Sequence, residues 1–304
     1  MEVPRQVLLL GNGLNRAFGG DSWSNLLETI SQRSDFNIGS LTSPMPLQAV
    51  LLTNNHLKEA MRNQQKAFWG ELKTVEQHHA LQSILEIGFD DILTTNYSYE
   101  LESAANDAKS ISPYQLKKMI HRSKEKREVR YLLHTYNETQ QNGRSTHVWH
   151  IHGESRLPDS MILGHYWYGN MLSKIKEYLT VCENRYQKTQ QDGAKITYDS
   201  WVDSFILGDV YILGFGFDLS EFDLWWLLNR RMREKAITGT VYFYEYEQTP
   251  NREKIELLKL MGVQVVNIDL PDDADYKKFY LQAIEDIRQH VLLEREVNHG
   301  QICY

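Results

Sequence analysis

Gln6 to Asn15 reads QVLLLGNGLN, and the break inside this stretch decides the fold. The apolar run Val7 to Leu10 stops at Gly11-Asn12-Gly13 and continues into Leu14-Asn15. A short apolar run that ends at closely spaced glycines predicts a buried strand entering a tight turn. Glycines at such a turn let backbone amides approach a phosphate, although an ordinary strand-to-helix turn has the same look. The pattern returns at Tyr211 to Gly216, YILGFG, with two polar motifs between the two copies.

Working outward, Asp91 to Thr95 (DILTT) predicts a strand that ends at Asn96, and Val148 to Ile151 one that ends at His152-Gly153. Asp209 to Leu213 runs into Gly214, and further strands are expected at Ser160 to Leu163, Val241 to Tyr246 and Val263 to Ile268. Helices are expected at Trp23 to Gln32, capped by Asp21 or Ser22, and two or three times within Leu47 to Leu85. Others are expected at Tyr97 to Ala108, Leu172 to Cys182, Leu219 to Arg233, Arg252 to Met261 and Tyr276 to Glu294. Pro44 and Pro46 read as a loop, and His165 to Tyr168 as an aromatic loop. Ile111 to Gly143 differs in composition, carries the basic run Lys117 to Arg130, and reads as part of an inserted or peripheral helical segment spanning 101–146. Such a basic run is ordinarily a solvated helix face, with an acidic partner or a phosphate as the alternative.

Strands alternating with helices imply an α/β chain: a Rossmann-like, doubly wound, mostly parallel sheet with inserted helical segments, one domain over 1–304. Ligands of such sheets bind at the carboxyl ends of strands. Gly11, Asn96, His152 and Gly214 all stand just after expected strands.

The 304 residues carry a formal net charge of -7 and are 41% hydrophobic, enough for a sizeable core and no bulk electrostatic case for nucleic acid. Two cysteines, Cys182 and Cys303, cannot build a four-cysteine zinc site or a disulfide framework. Val7 to Leu10 is too short to span a bilayer and no basic stretch precedes it, so a soluble, cytoplasmic protein without membrane association is expected.

Each motif has a plain reading beside the functional one. The first glycine loop lacks the dehydrogenase spacing and its acidic residue, which disfavours hydride transfer. Thr95 or Asn96 can simply cap the next helix; alternatively the Asn96 amide faces a ligand crevice, where it can hold a water or a ribose hydroxyl. His147, His150 and His152 form HVWHIHG, with His150 and His152 expected on one strand face. No third ligand is suggested by spacing, so no metal is expected, and His152, at the strand end, is the candidate proton carrier. Asp21 and Asp218 are polar candidates near the crevice. Glu245 could meet adenosine ribose hydroxyls, a solvated or salt-bridged glutamate being the plainer alternative. Trp225-Trp226 reads as core.

In this order, GNGLN, TTNY, HIHG and LGFGFDLSEFD resemble the sirtuin-like superfamily, and within it the bacterial sirtuin-like NAD-hydrolysing anti-phage defence proteins. The resemblance covers Gly11 to about Asp223. It implies a Rossmann-type NAD site in which Asn96 and His152 match the residues that do the chemistry. Gly11, Gly13 and Asn15 match its first glycine loop and Gly214 and Gly216 its late one, with Asn12 and Thr95 as further candidate cofactor contacts beside them. The zinc ribbon of deacetylase sirtuins is absent, and TTNYSYE departs from the TQNID-type motif toward the hydrolase branch. The resemblance therefore implies an NAD glycohydrolase that releases nicotinamide and ADP-ribose, with NAD as substrate and no metal, depleting NAD in abortive infection. The chain ends soon after the sheet with no visible sensor domain, so regulation by a separate protein or by oligomerisation is expected. The alternatives are a non-catalytic NAD or ADP-ribose sensor, a structural partner using the basic segment, and an ADP-ribosyl transferase.

Overall fold

The computed structural model describes residues 4–122, 128–193, 195, 197–234, 237–246, 251–268, 270–271 and 275–300, with side chains to 296 in the last helix. Residues 123–127 of the basic run, and Cys303, lie outside the described residues. The strands are β1 (Gln6–Leu10), β2 (Asp91–Thr94), β3 (Ile120–Arg122), β4 (Thr135–Gln141), β5 (Arg144–His150), β6 (Asp209–Leu213), β7 (Val241–Tyr246) and β8 (Val263–Ile268). They form one sheet in the order β3-β4-β5-β2-β1-β6-β7-β8. The six strands from β5 to β8 run parallel, and β4 and β3 extend the β5 edge in antiparallel fashion. Counted along the chain, the parallel strands stand 3-2-1-4-5-6, the doubly wound order of dinucleotide-binding sheets. The order reverses between β1 and β6, so the two glycine turns meet at the switch point.

The alternation of β1 splits the core into two layers. Val7 and Leu9 pack with Tyr168, Met171 and Ile175 of α8 (His165–Asp192), the wholly buried α9 (Trp201–Leu207), and Leu224, Leu227 and Leu228 of α10 (Phe222–Arg231). Leu8 and Leu10 face Leu14 of α1 (Gly13–Ala17), Ala80, Leu81 and Ile84 of α5 (Val75–Ile87), and Tyr280 and Ile284 of α12 (Tyr276–Gly300). Each buried leucine removes surface worth roughly 1.5–3 kcal/mol. A third cluster joins Leu27 and Ile30 of α2 (Trp23–Ile30), Ala49 and Leu52 of α3 (Met45–Leu52), and Ala60 and Met61 of α4 (Leu57–Asn63) to Tyr97, Met161 and Leu163. It packs against the chain leaving β2 and β5. Trp225 and Trp226 are partly buried and pack against the first cluster.

Local chemistry explains most boundaries. Ser22 caps α2 by accepting from the Asn25 amide at 3.2 Å. Gly88 ends α5 in the left-handed conformation at φ 73°. Four expectations need correction. Pro46 lies in the first turn of α3, where no intrahelical donor is needed, and Pro44 precedes it, so they open a helix. His165 to Tyr168 is the first turn of the 28-residue α8. Ser160 to Leu163 is no strand: Pro158–Ser160 is a 3-10 turn, Met161 and Leu163 serve the third cluster, and Ile162 joins the first. Finally, 101–146 is not wholly helical. After α6 (Glu100–Ala105) and α7 (Pro113–Met119) it forms β3, β4 and the start of β5. In β4 the polar Thr135, Asn137 and Thr139 are the buried alternate residues. Among the described residues, no helix is long and apolar enough to cross a membrane.

Candidate functional site

The register aligns the strand exits. Leu10 pairs with both Thr94 and Leu213, and Thr94 pairs with His150. Gly11, Thr95, Ile151 and Gly214 therefore leave the sheet side by side. The two glycine turns interlock: the Gly11 amide donates to the Leu213 carbonyl at 3.0 Å and the Gly13 amide to that of Gly214 at 2.8 Å. A Cβ on Gly11 would stand 2.3 Å from the Gly214 oxygen, and one on Gly13 would stand 2.2 Å from the Tyr280 hydroxyl. These glycines are thus required by the close approach of the turns, and their amides are engaged rather than free for a phosphate. Among the described residues, the amides of Asn12 and Gly216 donate no hydrogen bond. A Cβ on Gly216 would meet only open space.

A cleft of about 1150 Å3 opens above this junction. Asn12, Gly13, Asp21, Thr95, Asn96, His152, Gly214, Gly216, Asp218 and Glu245 all stand on its wall. Gly11 and Asn15 do not: Gly11 packs against Gly214, and Asn15 is buried, accepting from Gln77 Nε2 at 2.9 Å. Asp218 accepts from the Ser220 amide and hydroxyl at 2.9 and 2.6 Å. The Asp21 carbonyl accepts from Asn12 Nδ2 at 2.8 Å. Glu245 is salt-bridged to Lys254 at 2.9 Å, and Lys254 also reaches the Gly216 carbonyl at 3.3 Å.

Asn96 does not cap a helix, because α6 begins only at Glu100 with Tyr99 before it. Its backbone is held from two sides. The amide donates to Thr94 Oγ1 at 3.1 Å, and the carbonyl lies 2.7 Å from His150 Nδ1. Among the described residues no hydrogen bond reaches its half-buried side-chain amide on the cleft wall.

His150 and His152 part company because β5 ends at His150 and Gly153 turns at φ 90°. His150 Nε2 lies 2.9 Å from Glu102 Oε1, which also accepts from Asn137 at 2.8 Å. Burial opposes a charge on His150, but Glu102 holds its pKa up at about 9. With a carbonyl on one nitrogen and a carboxylate on the other, the ring is a buried imidazolium.

His152 turns to the opposite side of the sheet. Its Nε2 lies 2.9 Å from Asp223 Oδ2, and its Nδ1 lies 3.8 Å from Glu221 Oε2. Tyr168 packs its ring edge-on at 5.4 Å and donates its hydroxyl to Glu221 at 3.0 Å. Burial lowers the His152 pKa, yet Asp223 and then Glu221 carry it above the ordinary histidine value. Burial lifts Glu221 to about 7, tempered by His152 and reinforced by Asp223. His152, Glu221 and Asp223 offer ligand atoms within 4.8 Å of one another. A cation there would have to displace the His152–Asp223 hydrogen bond, and the three groups form an acid–base cluster as they stand.

Glu102, Tyr168 and Glu221 escaped the sequence reading, and Asp223 entered it only as part of a motif. For Glu221 and Asp223 the sequence signal is the pair of acids flanking Phe222 just after a glycine-rich strand exit.

A family model described as Bacteriophage abortive infection AbiH matches residues 43–243, about two thirds of the chain. The match spans Asn96, His150, His152, Glu221 and Asp223 and begins after the first glycine turn. Among curated proteins none matches the chain.

Proposed function

The chain belongs to the bacteriophage abortive infection AbiH family, and from that premise we propose that it is an NAD glycohydrolase, an effector that depletes NAD during phage infection. One observation carries the reading. Residues from four separate strand exits, Gly13, Asn96, His152 and Gly216, converge on one large cleft at the switch point of a doubly wound sheet. The sirtuin-like resemblance attaches NAD cleavage to those same positions.

In the reaction, the bond between the nicotinamide nitrogen and the ribose C1′ breaks, and its electron pair neutralises the pyridinium charge. Oxocarbenium character develops at C1′, as in glycoside hydrolysis. Water then bonds to C1′ and loses a proton. Because the leaving group departs neutral, the protein's task is to orient the ribose, exclude bulk water and accept that proton. Asn96, fixed through its backbone and with its amide on the cleft wall, holds the water or a ribose hydroxyl. His152 takes the proton. The amides of Asn12 and Gly216 are the available donors to the pyrophosphate. A separate sensor protein, or assembly of several copies, supplies activation.

The test is nicotinamide release from NAD by the purified protein, alone and with co-purifying partners, against Asn96→Ala and His152→Ala. Release by the wild type, lost in both folded variants, is the expected result. Near-normal turnover in either variant rejects its assignment. NAD binding without release in any mixture points instead to a sensor, and label transferred to a macromolecule points to ADP-ribosyl transfer.

A further inference from the structure

His152 stands between two carboxylates from the start of α10: Asp223 hydrogen-bonds Nε2, and Glu221 lies beside Nδ1 at 3.8 Å. Asp223 is fully buried, and its Oδ2 is 2.9 Å from Nε2 while its Oδ1 has no hydrogen-bond partner. A carboxylate on Nε2 fixes the proton there, so the lone pair of the neutral ring sits on Nδ1. Nδ1 faces Glu221 across 3.8 Å, and Glu221 stands on the cleft wall where Asp223 does not. We propose that Asp223, His152 and Glu221 form a proton relay, in which Asp223 sets the His152 tautomer and Glu221 passes the proton taken up at Nδ1 out to the cleft. The relay rests on the glycohydrolase reading and extends it to two residues that act through His152. Both are positioning residues.

The proton count closes. Water bonds to C1′ as the nicotinamide bond breaks; Nδ1 takes the water's proton, giving an imidazolium flanked by two carboxylates. Once the 3.8 Å gap closes to hydrogen-bond distance, the proton crosses to Glu221 and leaves through the cleft, restoring neutral His152. The groups facing Glu221 are His152 from the end of β5, Tyr168 from α8, Asp218 and Asp223 from its own segment, and Tyr97 after β2. Burial leaves Glu221 titrating at about 7, so its carboxyl can both take and release a proton near neutral pH. Tyr168 keeps it in place in either state.

Two variants separate a relay from a scaffold. Glu221→Gln keeps an acceptor for Tyr168, and Asp223→Asn keeps the shape of the buried side chain. Nicotinamide release is measured as kcat and KM from pH 5 to 9, and the His152 imidazole is titrated by 15N NMR in the free protein. Each variant is expected to lower kcat by about 10²–10⁴-fold with KM little changed. Glu221→Gln should also remove the near-neutral limb of the kcat profile, and both should lower the His152 titration midpoint. Release intact in the wild type with the profile and the His152 midpoint unmoved overturns the relay and leaves the glycohydrolase reading standing. No release by the wild type, with the midpoint lowered in both variants, overturns that reading and keeps the carboxylate assignments. Activity that vanishes with a chelator and returns with a divalent cation overturns the relay by giving these atoms to a metal.

Discussion

Replacing Glu102 by glutamine removes the counter-charge of a buried imidazolium, and the cost should appear only where His150 is charged. Glu102 is 0% exposed and its Oε1 takes both His150 Nε2 and Asn137 Nδ2. The His150 pKa stands at about 9 against an ordinary value of 6.5. Each unit of difference between folded and unfolded states is worth about 1.4 kcal/mol, so the pair contributes about 3 kcal/mol. A histidine that binds its proton more tightly when folded contributes fully below pH 6.5 and loses that contribution as pH rises through about 9. In Glu102→Gln, burial acts unopposed and His150 stays neutral; its Nδ1 proton still reaches the Asn96 carbonyl, but Gln can serve Nε2 only as a donor, at the expense of the Asn137 bond to the same position. Urea midpoints for both proteins at about pH 6 and pH 10 measure the effect as a double difference. The variant should be less stable by about 3 kcal/mol at the lower pH and close to wild type at the higher. An equal loss at both pH values would show that shape, not charge, is what Glu102 supplies. Because His150 holds the Asn96 backbone, nicotinamide release should also fall in the variant.

The sheet was legible because its strands announce their ends. Val7 to Leu10, Asp91 to Thr94 and Asp209 to Leu213 are apolar runs cut by glycine or asparagine, and parallel strands buried on both faces read that way. The position of the cleft was legible with them, since residues after such strands must gather at one edge. Two things hid the rest. Segments whose composition contradicts their environment were misread: β4 is TYNETQQ, polar throughout, and is buried on alternate residues through bonds such as Asn137 to Glu102. The opening turn of α8, HYWYG, looks like a loop until Tyr168 is seen filling the space beside His152. The second obstacle is distance along the chain. Glu102 lies 48 residues from His150, and Asp223 lies 71 from His152. Strand alternation places His150 and His152 on one face, and only the turn at Gly153 sends them to different carboxylates. Likewise, the glycines that looked like phosphate ligands are needed first to let two turns touch.

The remaining predictions rest on steric and polar facts of the same kind. Asp91 is fully buried and gathers Arg5, His147, Trp149 and Ser204, so Asp91→Ala should cost about 3–5 kcal/mol in chemical denaturation, and a loss below about 1 kcal/mol would count against that role. Gly153→Ala places a Cβ 2.2 Å from the Ser160 carbonyl at φ 90°; it should lower stability by about 1–3 kcal/mol or more and displace His152, both visible in thermal melts and in nicotinamide release. The glycine turns give the cleanest separation of folding from binding. Valine at Gly13 must displace Tyr280 and the Gly214 backbone, so Gly13→Val should unfold the switch point whether or not a ligand binds there. A Cβ at Gly216 meets no protein atom within 4 Å, so Gly216→Val should melt close to wild type. If the Gly216 amide faces the pyrophosphate, the same branched side chain occupies the space that ligand needs, and NAD affinity should fall by about tenfold or more, equivalent to about 1.4 kcal/mol. Calorimetric titration of NAD into a stably folded Gly216→Val protein decides the matter: unchanged affinity would remove this turn from the binding site, and with it the orientation that brings the nicotinamide end toward Asn96 and His152.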